Sequence, residues 1–456
     1  MHHSSHHPIA APPRRVLPLL AAGAIALLAL AGCAPGSAAG GGPAPTAIST
    51  DLGTKPVTLR VMVTTPDVPL FTALGKAFTA QHSNITVKVD SQDYTALTTN
   101  IAHLLSGTGA PDVVRIASFG NLVKNKLVTD LDPYAKAYGW TSWPQSQFAS
   151  TRIAANGVQR GSGALYGVGP GFGLTGVYYN TALAAQIGMT AAPKDLAGFE
   201  DLMSKAKAAG ILPIVENGKD GGTAFLLQNL QMAYAGSTTT VQDWINDKPG
   251  ASIDTPDTVK AAQTLQRWST SGYLSPDVNA VDQTQAPGQF IAGGGLFFAS
   301  GNWQAPGLDA AGAGKFGFFL FPPLKSGGDY SAMTAAATLA VPSKAKHPAA
   351  AAAFLDFIQT DKQARQDTVE LGGIVPAGPV DASTPTTKDG SVVGATVTAF
   401  RSLLKSNGLV DFMANATASV NVNAIVPQTQ LLVANQTTPA DYAKALQTEY
   451  ARELGE

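Results

Sequence analysis

The 456 residues include a single cysteine, Cys33, so no intramolecular disulfide can staple this fold. The chain must hold itself together by burying apolar surface, and its length is sufficient for a sizeable core. Composition allows it, with 45% hydrophobic and 13% charged residues. At roughly 100–200 residues per domain, the length predicts two bodies. The position of the cysteine constrains the chain further. Arg14-Arg15 precede an apolar run of fifteen residues, Val16 to Leu30, which a small-residue junction, Ala31-Gly32, joins to Cys33. A membrane span needs roughly 20 apolar residues, so this run is too short to cross comfortably. A basic start, a short apolar stretch and a small-residue junction read as a secretory signal over residues 1–32. The alternative is an uncleaved anchor in which Cys33 is a bystander.

Leu30-Ala31-Gly32-Cys33 resembles the lipobox of bacterial lipoproteins. That resemblance implies a lipidated Cys33 as the first mature residue and a body anchored to the cell membrane on its extracytoplasmic side. Residues 34–55 are rich in Gly, Ala, Pro, Ser and Thr, which predicts a flexible tether over 33–55.

Thirty basic residues against 31 acidic give a formal net charge of −1. No basic tract interleaved with aromatics marks a nucleic-acid surface. His2, His3, His6 and His7 fall in the leader, and His82, His103 and His347 are scattered. None of the last group has a histidine partner one helical turn away, so no metal site is expected. No cofactor motif stands out either. Gly171-Phe172-Gly173-Leu174-Thr175-Gly176 fits G-x-G-x-x-G. A dinucleotide loop needs a strand before it and a helix after it, and here a strand follows, so these glycines are assigned to a bend or hinge.

Periodicity predicts alternating strands and helices. Val57–Val63, Ile85–Val89 and Asp112–Ile116 read as strands, with helices over 69–82 and 94–105 between them. Further strands are expected at Val177–Tyr179, Ile211–Val215, Leu296–Ala299, Phe316–Leu320 and Ala335–Val341. Helices are expected over 196–209, 223–234, 256–271, 348–359 and 439–454. Such alternation argues for α/β layers with parallel strands.

Several stretches, in this order, resemble the sugar-binding type of extracellular solute-binding proteins of bacterial ABC importers, the group that includes maltose-binding protein. They are Leu105-Ser106-Gly107-Thr108-Gly109-Ala110-Pro111-Asp112-Val113, then Leu165-Tyr166-Gly167-Val168 with Val177-Tyr178-Tyr179-Asn180. Phe290-Ile291-Ala292-Gly293-Gly294 running to Ser300-Gly301-Asn302-Trp303 follows, and then Ala350–Ile358, Gln363 and Gly373-Ile374-Val375-Pro376. The chain departs from the family pattern at Gly294-Gly295-Leu296, where a basic residue is usual. The resemblance implies a two-lobe α/β fold of the periplasmic-binding-protein type, with hinge crossings and a ligand cleft between the lobes. The expected partition is 56–168 plus 316–358 for one lobe and 169–315 plus 359–456 for the other.

In α/β sheets of this kind ligands meet the loops at the carboxyl ends of strands. A sugar presents hydroxyls and apolar ring faces, so its site needs aromatic plates with carboxylates and amides placed around them. Trp303 and Asn302 follow a strand and stand where the resemblance implies a stacking tryptophan; a core role is the alternative for Trp303. Asp67 and Asp93 either accept ligand hydroxyls or cap the helices that follow them. Tyr94 is a ligand contact or a core residue. Ser118 and Phe119 contact ligand or simply start the next helix. Glu216, Asn217 and Asp220 occupy a glycine-rich loop after a strand, and at least one is expected to face the cleft. Phe172 lines the cleft or packs the hinge.

The resemblance thus implies a monomeric, non-enzymatic receptor that passes a carbohydrate, a di- or oligosaccharide, to a membrane permease. The rival readings are a receptor for another solute, such as a glycerophosphodiester or a polyamine, and a secreted glycoside hydrolase. Cys33→Ala is expected to abolish acylation, so that the product is released or stays unprocessed. Firm anchoring takes more than one acyl chain. Membrane fractionation with a lipid label checks this, and an unchanged labelled protein in the variant overturns it.

Overall fold

The computed structural model describes residues 48–157, 160–379 and 381–455. The expected leader and Cys33 lie outside the described residues. Two four-stranded sheets, each with its own helices and core, divide those residues into two lobes.

The first sheet grows from Val57–Thr64, whose alternation buries Leu59, Val61 and Val63. This strand pairs in parallel with Ile85–Gln92 on one side and Val113–Arg115 on the other. Parallel neighbours need a crossover, and helices Val68–Gln81 and Tyr94–Ser106 supply it. The first of these helices presents Leu70, Phe71, Leu74 and Phe78, a stripe at helical spacing, to the core. There Phe78 meets Phe354 and Phe357 edge-on, with ring centroids 5.3 Å apart in each pair. Leu339–Ala340 closes the sheet antiparallel to Val113–Arg115.

The second sheet runs Phe316–Phe319, Thr175–Asn180, Phe297–Gly301, Ile214–Val215. Its helices start where polar caps precede them. Asn180, Asp195, Thr255 and Thr438 each accept backbone N–H groups of the first turn, and Pro256 and Pro439 follow the last two caps. Helix Gly222–Ala235 is buried almost all round, polar residues included. Beside its start lies Glu216, 2% exposed, with Oε1 accepting the Asn217 N–H at 3.0 Å. Burial pushes the Glu216 carboxyl up to about 8, and the bond from Asn217 only partly opposes this.

The backbone passes between the lobes in adjacent, hydrogen-bonded segments. Val168 and Leu339 exchange N–H···O bonds of 3.0 and 3.1 Å. The Ala337 N–H donates to the Gly171 carbonyl at 2.9 Å, and the Gly173 N–H to that of Ala335 at 2.8 Å. On the other flank Gly171–Phe172 pairs antiparallel with Val375–Pro376. Buried Arg365 donates to the carbonyls of Gln359, Ala377 and Ser383 and so ties this third segment to the first lobe. The glycines let the segments approach. A Cβ on Gly169 would sit 2.5 Å from the Ala337 oxygen, and one on Gly171 would overlap the Val375 oxygen.

Some sequence expectations change. The tether does not reach residue 55: Ile48 and Leu52 pack on the first core, and the Asn84 amide donates to the carbonyls of Gly53 and Lys55 at 3.1 and 3.3 Å. Phe316–Phe319 belongs to the second lobe, because it pairs with Thr175–Asn180 and Phe319 meets Phe199 edge-on. Helix Lys362–Glu370 belongs to the first lobe, because Ala364 packs into that core. Only Leu339–Ala340 of the expected 335–341 strand joins a sheet, since the residues before it form a crossing. Ile211–Val215 shortens to Ile214–Val215, as Pro213 has no N–H to pair. Helix Val392–Ser406 was not anticipated.

Two outcomes follow from this packing. Gly171→Val should lose about 1–3 kcal/mol of stability through overpacking. Gly109→Ala, whose added Cβ meets nothing within 4 Å, should change stability little. Urea midpoints compare the two. For Glu216, the folded carboxyl near 8 lies above its ordinary 4.5. The native state therefore holds the proton more tightly than the unfolded chain does. That stabilisation is complete below the ordinary value and is lost as pH rises towards 8. Glu216→Gln should flatten this part of the pH–stability curve, read from melting temperatures between pH 5 and 8.5.

Candidate binding cleft

Between the lobes lies a cavity of about 240 Å³, walled by both lobes and floored by the crossings at Pro170, Gly173 and Ala335–Ala337. Its first-lobe wall comes from strand ends. Asp67 follows Val57–Thr64, Tyr94 follows Ile85–Gln92, and Arg115, Ile116 and Phe119 end or follow Val113–Arg115. Its second-lobe wall holds Asn217 and Asp220 after Ile214–Val215, and Trp303 after Phe297–Gly301.

Asp67 stands at the N-cap position of Val68–Gln81, yet its side chain makes no cap hydrogen bond. It accepts the Thr64 hydroxyl at 2.5 Å and lies 3.9 Å from Arg115 Nε. The Tyr94 hydroxyl has its pKa raised by burial, with Arg115 pulling it back. Trp303 is half-buried and joins an aromatic group on the second-lobe wall. Phe225 meets it edge-on at 6.2 Å, Phe412 lies 6.4 Å away, and Phe225 and Phe412 are 5.4 Å apart. The close approach of Trp303 to the Gly301 backbone leaves no room there for a Cβ.

Other expected site residues do not line the cavity. Asn302 is fully buried and serves as a bracket: its Oδ1 accepts the Leu174 N–H at 3.0 Å. Phe172 packs the hinge, stacked on Phe400 at 6.3 Å. Glu216 is buried beneath the wall while its neighbour Asn217 faces the cavity. Ser118 is also absent from the lining, its hydroxyl buried without a hydrogen-bond partner among the described residues. Asp93 accepts the Ala96 N–H of the helix it precedes at 3.3 Å. Its other oxygen accepts the Gln283 amide at 3.3 Å, a bond between the lobes.

The sequence reading missed part of the wall. Asp411 to Asn415 all line the cavity, held by Gln228, whose amide donates to the Asp411 carbonyl at 2.9 Å and accepts the Met413 N–H at 2.8 Å. The available signal was Leu409–Val410, a strand too short to register by periodicity. Phe225, on a helix buried almost all round, and Arg160, in a loop, carried no such signal. Arg160 pairs with Asp411 at 3.6 Å. Burial lowers the Arg160 pKa and Asp411 opposes this; burial likewise raises the Asp411 carboxyl against the pull of Arg160. Each arginine of the lining thus stands beside an aspartate. Among the described residues no group of His, Cys, Asp and Glu is arranged to hold a metal ion. No described helix is long and apolar enough to cross a membrane.

Comparison with known proteins agrees with this architecture. A probable sugar-binding periplasmic protein of Mesorhizobium japonicum is 27% identical over 135 residues, 30% of this chain and 31% of that protein's length. Among solved structures, a chitin oligosaccharide binding protein superposes with a TM-score of 0.71 at 19% identity, covering 89% of this chain and 100% of the other. The GacH receptor of Streptomyces glaucescens, solved unliganded and with acarbose, gives 0.68 at 17%, covering 88% and 99%. Maltose-bound MalE3 of T. maritima gives 0.69 at 17%, covering 87% and 99%. These likenesses establish the two-lobe fold of periplasmic sugar-binding proteins. Residues 73–392 match the profile of the bacterial extracellular solute-binding proteins, and the chain belongs to that family.

Proposed function

We propose that the chain captures a neutral carbohydrate, a di- or oligosaccharide, in this cleft and delivers it to an ABC permease without chemical change. It works as a monomer held outside the cell membrane by a lipid on Cys33. The observation that carries the ligand class is the aromatic group Trp303, Phe225 and Phe412, set among Asp67, Asn217 and Asp220 on one cavity. Apolar ring faces of a sugar suit the first set, and its hydroxyls suit the second. The sugar-bound relatives support the same reading. A phosphodiester is disfavoured, because Arg115 and Arg160 already face Asp67 and Asp411. Closure of the lobes then follows from better binding to the closed form.

The reading is tested by a melting screen against mono- and oligosaccharides, where a ligand at 100 times its Kd adds about 2.7 kcal/mol of stability. No shift with any sugar overturns it, and steady turnover of an aryl-glycoside would favour the hydrolase. For a sugar that binds, Trp303→Ala should cost at least ~2 kcal/mol, or roughly thirtyfold in Kd. Loss of a core tryptophan would instead remove about 3–5 kcal/mol of stability. A variant that melts far lower yet binds normally would place Trp303 in the core.

A further inference from the structure

Arg160 and Asp411 come from different lobes. Arg160 bridges to Ile153, which packs in the first lobe with Val114 and Leu122. Asp411 follows Leu409–Val410, which pairs with Ala332–Met333, and Gln228 clamps its loop to the second lobe. The side chains are 11% and 19% exposed. Asp411 Oδ1 is occupied by the Phe412 N–H at 2.7 Å and the Asn415 amide at 2.8 Å. Oδ2 is left facing Arg160 Nη1. Arg160 also lines a second crevice, about 280 Å³, bounded by Lys124 of the first lobe and by Thr417 and Glu453 of the second. The ion pair therefore stands in the wall between the central cavity and this outer crevice.

We infer that the Arg160–Asp411 pair is an interlobe latch that sets the balance between the open and closed cleft. Separating the lobes parts the two charges and returns both to water. Closing them removes both from water and is tolerated only because each finds the other. A buried pair of this kind adds little net stability over an apolar replacement, but removing one partner strands a buried charge. The two residues should therefore act as a unit. Either single substitution favours opening, and the double substitution returns the balance towards closure. The inference adds to the receptor reading, and its test uses no ligand, so either can fail without the other.

The test is a pulsed dipolar distance measurement on the full chain. Spin labels go on Lys136→Cys in the first lobe and Lys444→Cys in the second, both exposed sites, in a Cys33→Ser background. The parent is expected to show a closed, short-distance population. Arg160→Met and Asp411→Asn should each raise the ratio of long to short distances at least about tenfold. The double variant should fall back towards the parent. Arg160→Lys, which keeps the charge on a shorter reach, should lie between the parent and Arg160→Met, and it serves if the other single variants do not fold. A parent with only the long distance, unchanged distributions in folded variants, or a double variant more open than either single one would each overturn the latch.

Discussion

Everything at the cleft depends on the backbone hydrogen bonds that hold the crossings side by side. Residues 168–173 lie between 335–339 and 375–377, and these bonds fix where the lobes meet. Because the contact is backbone to backbone, it tolerates almost no side chain at Gly169 or Gly171. A chain without disulfides achieves this through Arg365 and Gln147, which pin the third crossing to the first lobe with bonds to main-chain atoms. Side chains elsewhere can then vary without moving the floor of the cavity.

On this floor the two walls have different chemistry. The first-lobe wall is set at strand ends and carries Asp67 and Arg115 in partial neutralisation. The second-lobe wall carries the aromatic group, backed by a helix whose buried Gln228 holds the 411–415 loop. Arg115 and Arg160 stand beside Asp67 and Asp411, while Asp220 accepts the Gln283 N–H at 2.8 Å, so acids outnumber bases by one among the charged lining residues. Glu216 belongs to the same wall by position, but its burial makes it a proton-holding structural group.

The match between strand ends and cavity-lining residues shows what was legible. Asp67, Tyr94, Phe119, Asn217, Asp220 and Trp303 all follow strands and all line the cavity. Asn302 follows the same strand as Trp303, yet its side chain turns inward to accept the Leu174 N–H. Adjacent residues on a loop point in different directions, and spacing along the chain cannot tell which one faces the cavity. Phe172 was equally ambiguous, and stacking with Phe400 from an unanticipated helix decided it.

Sequence alone determined the long periodic strands and helices, because periodic burial needs only local residues: Val57–Thr64, Val68–Gln81 and Pro439–Leu454 lie within a residue or so of their expected bounds. The resemblance carried by its motifs implied the two-lobe architecture, which the fold bears out. Tertiary structure alone decided which lobe owns Phe316–Phe319 and Lys362–Glu370, since an apolar stripe fits either core until a partner strand or helix is present. It alone brought Arg160 to Asp411, 251 positions apart in sequence numbering. Electrostatic partners across a cleft share no period and no local pattern, and only the folded chain sets them side by side.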